Sequence, residues 1–553
     1  MMLAPAAQAL NEIVVLDRFG RRLNERGMTL VDWEGQIANP AIRISIVPPS
    51  DATFPATATV SCPQARVYFD DPSTAAASGP TKSLNFPNST PVPLLVSIFP
   101  DRDGADEDWP ITVVFTSAGG AKRTLTFNAH VIDQDQPARL VEFPITVNFS
   151  RDQTGFFADA SRRALYQQLA NDWAYFFADP GLDSVPAGAE TTFIWNSTGF
   201  NGGSFVTNAS AYRGYLLYAY GIDQSSPPYR SGGEPSNAGG FLTAGGTSLN
   251  LRRSGGQELE VKGNFNTLGW YLSTGDSDWW MATNLGNVQN DLASIPHHEM
   301  GHAFIFNPAQ PAFANFKSLG SVQEARVFAY QGAYPAIDSS DHFSGSVDRL
   351  SGKGAFGYEY YGTVPARRWL ITKLDLLVAQ AIGYPLRTTS PFVSAAIVTT
   401  ALPRGGVGGF YAQTVQGRGG VPFYRWSIAS GSLPPGLALD SFTGAITGNP
   451  TTVGSYAFRV RLDEYDQAAV AVEADFTIRI EASPFAITDV QRTPTAQVSY
   501  RTSASQMYRV EYSDDLKAWN LLASSVPGTG GVVTTTDPTG AARSQRFYRV
   551  TET

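Results

Sequence analysis

The stretch Ser294–Phe306, SIPHHEMGHAFIF, holds three of the five histidines in a chain of 553 residues. Residues four apart share one face of an α-helix, so His298 and His302 can present ring nitrogens to a single ion. Glu299, one position round, can then reach a water beside it. The spacing predicts a helix with Ser294 as its cap and Pro296 in its first turn, carried on by the apolar AFIF. His297 falls on another face and is read as a supporting or structural residue. Two imidazoles and an adjacent carboxylate in this order point to Zn2+, with His298 and His302 as ligands and Glu299 as general base.

A catalytic zinc takes three protein ligands and keeps one position open for water, so another donor is required. His342 in SSDHFSG and Glu324 in SVQEARVFAY compete for the role, with Asp338 and Asp341 behind them. All are ligand types that zinc accepts. A phenol from Tyr358, Tyr360 or Tyr361 in GYEYYG is a candidate to stabilise a tetrahedral oxyanion, against the plainer reading of an aromatic wall. His130, in an upstream strand pattern, is read as structural.

The order HHEMGHAFIF, then SDHF, then GYEYYG resembles the zincin metallopeptidases. The long gap before a His-Phe pair is similar to the leishmanolysin group of metzincins. The compact metzincin pattern would place Gly and His where this chain has Ile305 and Pro308, and no Met lies between Met300 and Met507. The resemblance implies an α+β catalytic domain in which His298, His302 and His342 bind the metal and Glu299 acts as base. Glu324 is the thermolysin-like alternative for the third ligand.

Outward from the motif, residues 159–176 carry Leu165, Leu169, Trp173 and Phe176 at helical spacing, with Asp159 as cap and Asp179, Pro180 and Gly181 as the stop. WLITKLDLLVAQAIGYP is a second helix. Thr372 and Asp375 form its capping box, Leu374, Leu377, Val378, Ala381 and Ile382 its apolar face, and Gly383 its end. Residues 221–256 are rich in Gly, Ser and Pro, show no sustained period, and are read as a long surface loop or cleft edge. Residues 12–135 alternate short apolar runs such as AIRISIVP and ITVVFT with turn residues, the pattern of a β-sandwich. Within them, FPDRDGADEDWP is read as a solvated acidic turn, with calcium as the alternative, because its spacing misses the usual calcium loop. Beyond Pro391, PFYRW, LPPGLALD and TGAITGNPTTVGSY resemble the putative-Ig modules common in secreted bacterial proteins, which implies an immunoglobulin-like sandwich.

These readings give a multidomain chain: an N-terminal β-sandwich module (1–138), a zincin-like metallopeptidase domain (139–388), a putative-Ig β-sandwich (389–482) and a small C-terminal β module (483–553). Roughly three to four domains also suit the length. The formal charge of −9 and the lack of any Lys/Arg run longer than two argue against nucleic acid as partner. No run approaches the roughly 20 apolar residues of a membrane-spanning helix. Cys62, the single cysteine, excludes an intrachain disulfide and is read as a buried apolar side chain. Ala-Gln-Ala at 7–9 looks like the end of a secretory signal whose earlier part lies upstream of the assigned start, or else belongs to an ordinary N-terminus.

The expected function is a secreted zinc endopeptidase acting on protein or peptide substrate, its β modules available for cell-surface or matrix contact. The rivals are a surface binding or adhesion protein on a degenerate zincin-like scaffold and a zinc hydrolase with a non-peptide substrate.

Overall fold

Alternation of buried and exposed positions puts every second residue of the N-terminal strands on one face, and two such faces close on each other. The strands are β1 (Val14–Asp17), β2 (Met28–Asp32), β3 (Ile42–Val47), β4 (Ala56–Ser61), β5 (Val67–Asp70), β6 (Thr81–Phe86), β7 (Val92–Ile98), β8 (Glu107–Thr116) and β9 (Lys122–Asp133). They form a four-stranded sheet in the order β1-β3-β7-β5 and a five-stranded sheet in the order β2-β9-β8-β4-β6. Ile42, Ile44, Ile46, Leu94 and Val96 from one sheet and Val60, Ile111, Val113 and Phe115 from the other are buried. Each such side chain contributes roughly 1.5–3 kcal/mol. Cys62 is buried and free, as read from the sequence.

The computed structural model describes residues 11–552 except 34–36, 65, 71–78, 136–140, 143, 180–183, 190, 196–202, 223–230, 236–242, 245–246, 249–257, 265–268, 272–288, 292, 307, 309, 357–369, 390, 467–468, 470, 482–486, 493–494, 503–505 and 530. It is a multidomain, mostly β protein of two compact units. The first comprises Met1–Ser394 with Gly419–Phe423 and Tyr465–Ala468, and the second takes the rest. Among the described residues no helix is long and apolar enough to cross a membrane.

The helices lie in the middle of the chain: α1 (Ala160–Tyr175), α2 (Ser294–Phe304), α3 (Pro311–Ser318), α4 (Ala325–Gln331) and α5 (Lys373–Ile382). Strand Tyr215–Ile222 runs parallel to Ile145–Asn148 and to Glu258–Asn264, which pairs antiparallel with Ser231–Pro235. That last strand falls within the Gly-rich segment read as loop. Gly and Pro carry no strand preference, so its extended form comes from its neighbour and not from its own residues. Helix α2 packs along Ser231–Pro235 and Glu258–Asn264.

Asp159 caps α1 through Ser161 N, and Leu165, Leu169 and Trp173 are buried as the period predicts. The helix stops at Tyr175, before the breakers at 179–181, because Phe176 already donates back to Trp173 O. In α5 the Thr372–Asp375 capping box and the left-handed Gly383 both form. Its buried set is Leu374, Leu376, Val378 and Ala379, while Leu377, Ala381 and Ile382 are only part-buried. The helix is thus enclosed on more than one side.

In the second unit, Val472–Glu481, Gly454–Asp463 and Arg425–Gly431 form one sheet with Gly405–Gly406, and Tyr411–Thr414, Ala445–Gly448 and Leu437–Leu439 form another. Trp426, Val415, Ile446, Phe458, Val460 and Ile478 make their shared core. Gly444 has φ +74°, and a Cβ there would meet Val415 O at 2.5 Å, so the turn in TGAITG admits glycine alone. Residues from Ile487 onward form two three-stranded sheets around Val498, Tyr500, Tyr508 and Val510.

Candidate metal centre

Helix α2 begins at Ser294, with Ala293 in the cap position and no side-chain cap. Ser294 therefore lies inside the helix, one residue further along than the sequence pattern suggests. Trp173 on α1 donates its indole N–H to His297 O at 2.8 Å, and the His297 ring stands edge-on to the same indole. His297 thus serves the packing between α1 and α2. A Cβ on Gly301 would meet Phe356 Cε2 at 2.5 Å and Trp173 Cζ2 at 3.0 Å, so the glycine inside the motif is what lets these rings close over the helix.

One turn apart on the helix, His298 and His302 come together, and His342 joins them. The Nε2 atoms of His302 and His342 are 3.0 Å apart, and those of His342 and His298 are 3.3 Å apart. His298 is buried, and the other two rings are part-buried. The Nδ1 of His302 lies 3.2 Å from Phe306 O, which assigns the ring proton to Nδ1 and leaves the Nε2 lone pair toward the other rings. Burial, and then the neighbouring imidazoles, holds His298 well below the usual histidine range. Burial and His342 pull His302 down to about 4. Burial also lowers His342, against the opposing charges of Asp338 and Asp341. Three neutral rings with nitrogens converging on one point form a donor set able to hold a metal ion.

The turn before His342 fixes its position. Asp338 Oδ1 accepts from Ser340 N at 2.8 Å and His342 N at 3.1 Å, and Asp338 N donates to His342 O at 3.0 Å. Asp341 sits there with φ 67° and pairs with Lys317 at 2.5 Å. Asp338 Oδ1 thereby shapes the turn and Lys317 anchors Asp341, while Asp338 Oδ2 lies 3.8 Å from His342 Nδ1. Glu324, the other candidate ligand, caps α4: its carboxylate accepts from Arg326 N at 2.8 Å and Val327 N at 3.0 Å. A helix N-terminus a few atoms away captures that carboxylate.

Sequence reasoning gave no sign of Phe356. Its ring stacks on His298 at 4.4 Å and 10°, and its backbone N–H donates to Asp375 Oδ1 at 2.9 Å. The α5 capping box therefore also holds the apolar wall of the histidine group. Glu299 is part-buried on α2, and its charge, after burial itself, helps hold the buried phenol of Tyr166 well above its ordinary value. His130 pairs with Asp108 at 3.1 Å on an exposed strand face, outside this group. Tyr358, Tyr360 and Tyr361 lie outside the described residues.

Residues 391–481 match the putative Ig domain family. No curated protein matches the chain. Among solved structures, a putative alpha-galactosidase from Bacteroides fragilis NCTC 9343 is 26% identical over 16% of this chain and 17% of its own, with a TM-score of 0.14. Human CDH23 EC21-23 is 15% identical over 29% of this chain and 63% of its own, with a TM-score of 0.15. An endo-fucoidan hydrolase of glycoside hydrolase family 107 is 9% identical over 86% of this chain and 45% of its own, with a TM-score of 0.14. The chain thus spans about a sixth of the galactosidase (17%), and at these TM-scores none of the three bears on what the histidine group does.

Proposed function

We propose that the chain is a zinc-dependent hydrolase of peptide bonds, with His298, His302 and His342 as metal ligands and Glu299 as general base. The convergence of three neutral imidazoles, two of them on the helix that also carries Glu299, supports this reading. Ligand nitrogens on a tetrahedral zinc stand about 3.3–3.4 Å apart, from Zn–N bonds of about 2.0–2.1 Å. The separations of 3.3 and 3.0 Å between ring nitrogens lie near that spacing. When bound, zinc supplies Lewis acidity and lowers the pKa of a water toward neutrality.

The chain's own residues supply the rest. Glu299 Oε accepts the proton of the attacking water and returns it to the leaving amine. Phe356 covers His298 with an apolar ring, which excludes solvent from that side and strengthens the electrostatic interactions within. The hydrogen bond from His302 to Phe306 O keeps the ring in the tautomer that ligation needs. The intact Glu299 weighs against a degenerate scaffold. An extracellular setting, with the β modules free for surface or matrix contact, belongs to the same reading and is supported by the putative Ig match at 391–481.

Metal analysis with a casein-cleavage assay tests this directly. One zinc per chain and proteolysis that stops with a chelator and returns with zinc is the expected result. Zinc without proteolysis moves the reading to a non-peptide substrate, and a chain that takes up no zinc removes it.

A further inference from the structure

A cavity of about 200 Å3 opens in the first unit, away from the histidine group's own residues, and three guanidinium groups line it: Arg18, Arg43 and Arg349. Among the described residues Asp466 is the one carboxylate in the lining, and Arg349 holds it at 2.7 Å while donating from Nε to Tyr330 O. Arg43 projects from β3 on an exposed position, and its backbone N–H donates to the Tyr465 hydroxyl at 2.5 Å. The Arg18 guanidinium lies 5.0 Å from the Tyr465 ring centre. Leu95, Leu350 and Ala41 make the apolar wall. Backbone pairing of Ala41 N with Leu350 O at 2.9 Å ties that wall together.

A recess with more positive than negative groups, an aromatic face and aliphatic walls suits an anion carried on a small apolar body. Guanidinium forks match a planar carboxylate, and Asp466 on Arg349 shows one such pairing already made here. We propose that this cavity binds a small organic carboxylate, its charged end at Arg18 and Arg43 and its body against Leu95, Leu350 and Tyr465. The site needs neither the histidine group nor the hydrolytic reading.

Equilibrium dialysis of the full chain with benzoate, its neutral isostere benzamide, and sulfate tests the proposal. Benzoate is expected to bind about tenfold more tightly than benzamide, since charge-assisted hydrogen bonds are lost with the charge, and more tightly than sulfate, which lacks the apolar body. Arg43→Gln, at an exposed position that leaves the fold intact, is expected to weaken benzoate about tenfold and to leave benzamide unchanged. Equal binding of benzoate and benzamide, tighter binding of sulfate, undiminished benzoate affinity in Arg43→Gln, or no saturable benzoate binding below about 10 mM would each overturn it.

Discussion

Among the described residues of the first unit, two groups of three side chains bring ligand-type atoms to within 4.8 Å of one another: His298, His302 and His342, and Asp32, Asp101 and Asp133. The first set is neutral. The second brings its own cation, because the buried Arg66 pairs with Asp32, Asp101 and Glu107, the last at 2.6 Å, and donates to Phe99 O at 3.0 Å. Asn39 adds a hydrogen bond to Asp32 at 2.8 Å. Converging donors therefore do not by themselves make a metal centre, since where the fold supplies a guanidinium, the cluster is an internal ion-pair network. Part of the loop read as a solvated acidic turn belongs to that network. Asp101 is buried against Arg66, while Asp103, Asp106 and Asp108 remain exposed.

The contrast can be tested from both sides. The largest effect should come from Glu299→Gln, which keeps the three donors and removes the base: zinc content stays at the wild-type level and turnover falls by roughly 100- to 10,000-fold. Activity left intact would mean that the carboxylate is not the base. In the other cluster, Arg66→Met leaves buried carboxylates without their counter-charge and should cost about 3–5 kcal/mol of stability, measured by urea unfolding. An unaffected midpoint would show that the network is neutral by protonation and not by Arg66. His342→Ala should weaken zinc binding by about 100-fold or more in a competition titration with a chromophoric chelator. Unchanged affinity would move the third ligand to a residue outside the present group.

The smallest effect is one of sign, read from thermal melts of the metal-free chain across pH. His302 falls from the ordinary 6.5 to about 4 in the folded chain, so its contribution is present above pH 6.5 and is lost as pH falls toward about 4. Asp133 rises from 3.8 to about 7, chiefly through burial, so its contribution is full below 3.8 and is lost as pH rises through about 7. Asp133→Asn should therefore flatten the decline toward neutral pH and leave the acid limb unchanged. A mutant melt that still declines toward pH 7 would assign that limb to other groups.

Much of the site's local half was legible in the residues. His298, Glu299 and His302 are placed by the helical repeat, Asp159 and the Thr372–Asp375 box by capping chemistry, and the N-terminal strands by alternation. The strand at Ser231–Pro235 was not legible, because its pairing with Glu258–Asn264 supplies what its glycines lack. Phe356 was equally hidden, since its place depends on Asp375 holding its backbone.

The sequence by itself determined that two imidazoles and a carboxylate share one helix, because a 3.6-residue repeat needs no partner to be read. It left His342, Glu324, Asp338 and Asp341 open as the further donor. Only the tertiary structure shows which of them stands beside the two helix histidines. The N-terminus of α4 captures Glu324, the turn before His342 uses Asp338, Lys317 holds Asp341, and the His342 ring is carried to His302 on the helix. Contacts between segments far apart in the chain depend on the folding of everything between them, and no local period encodes that.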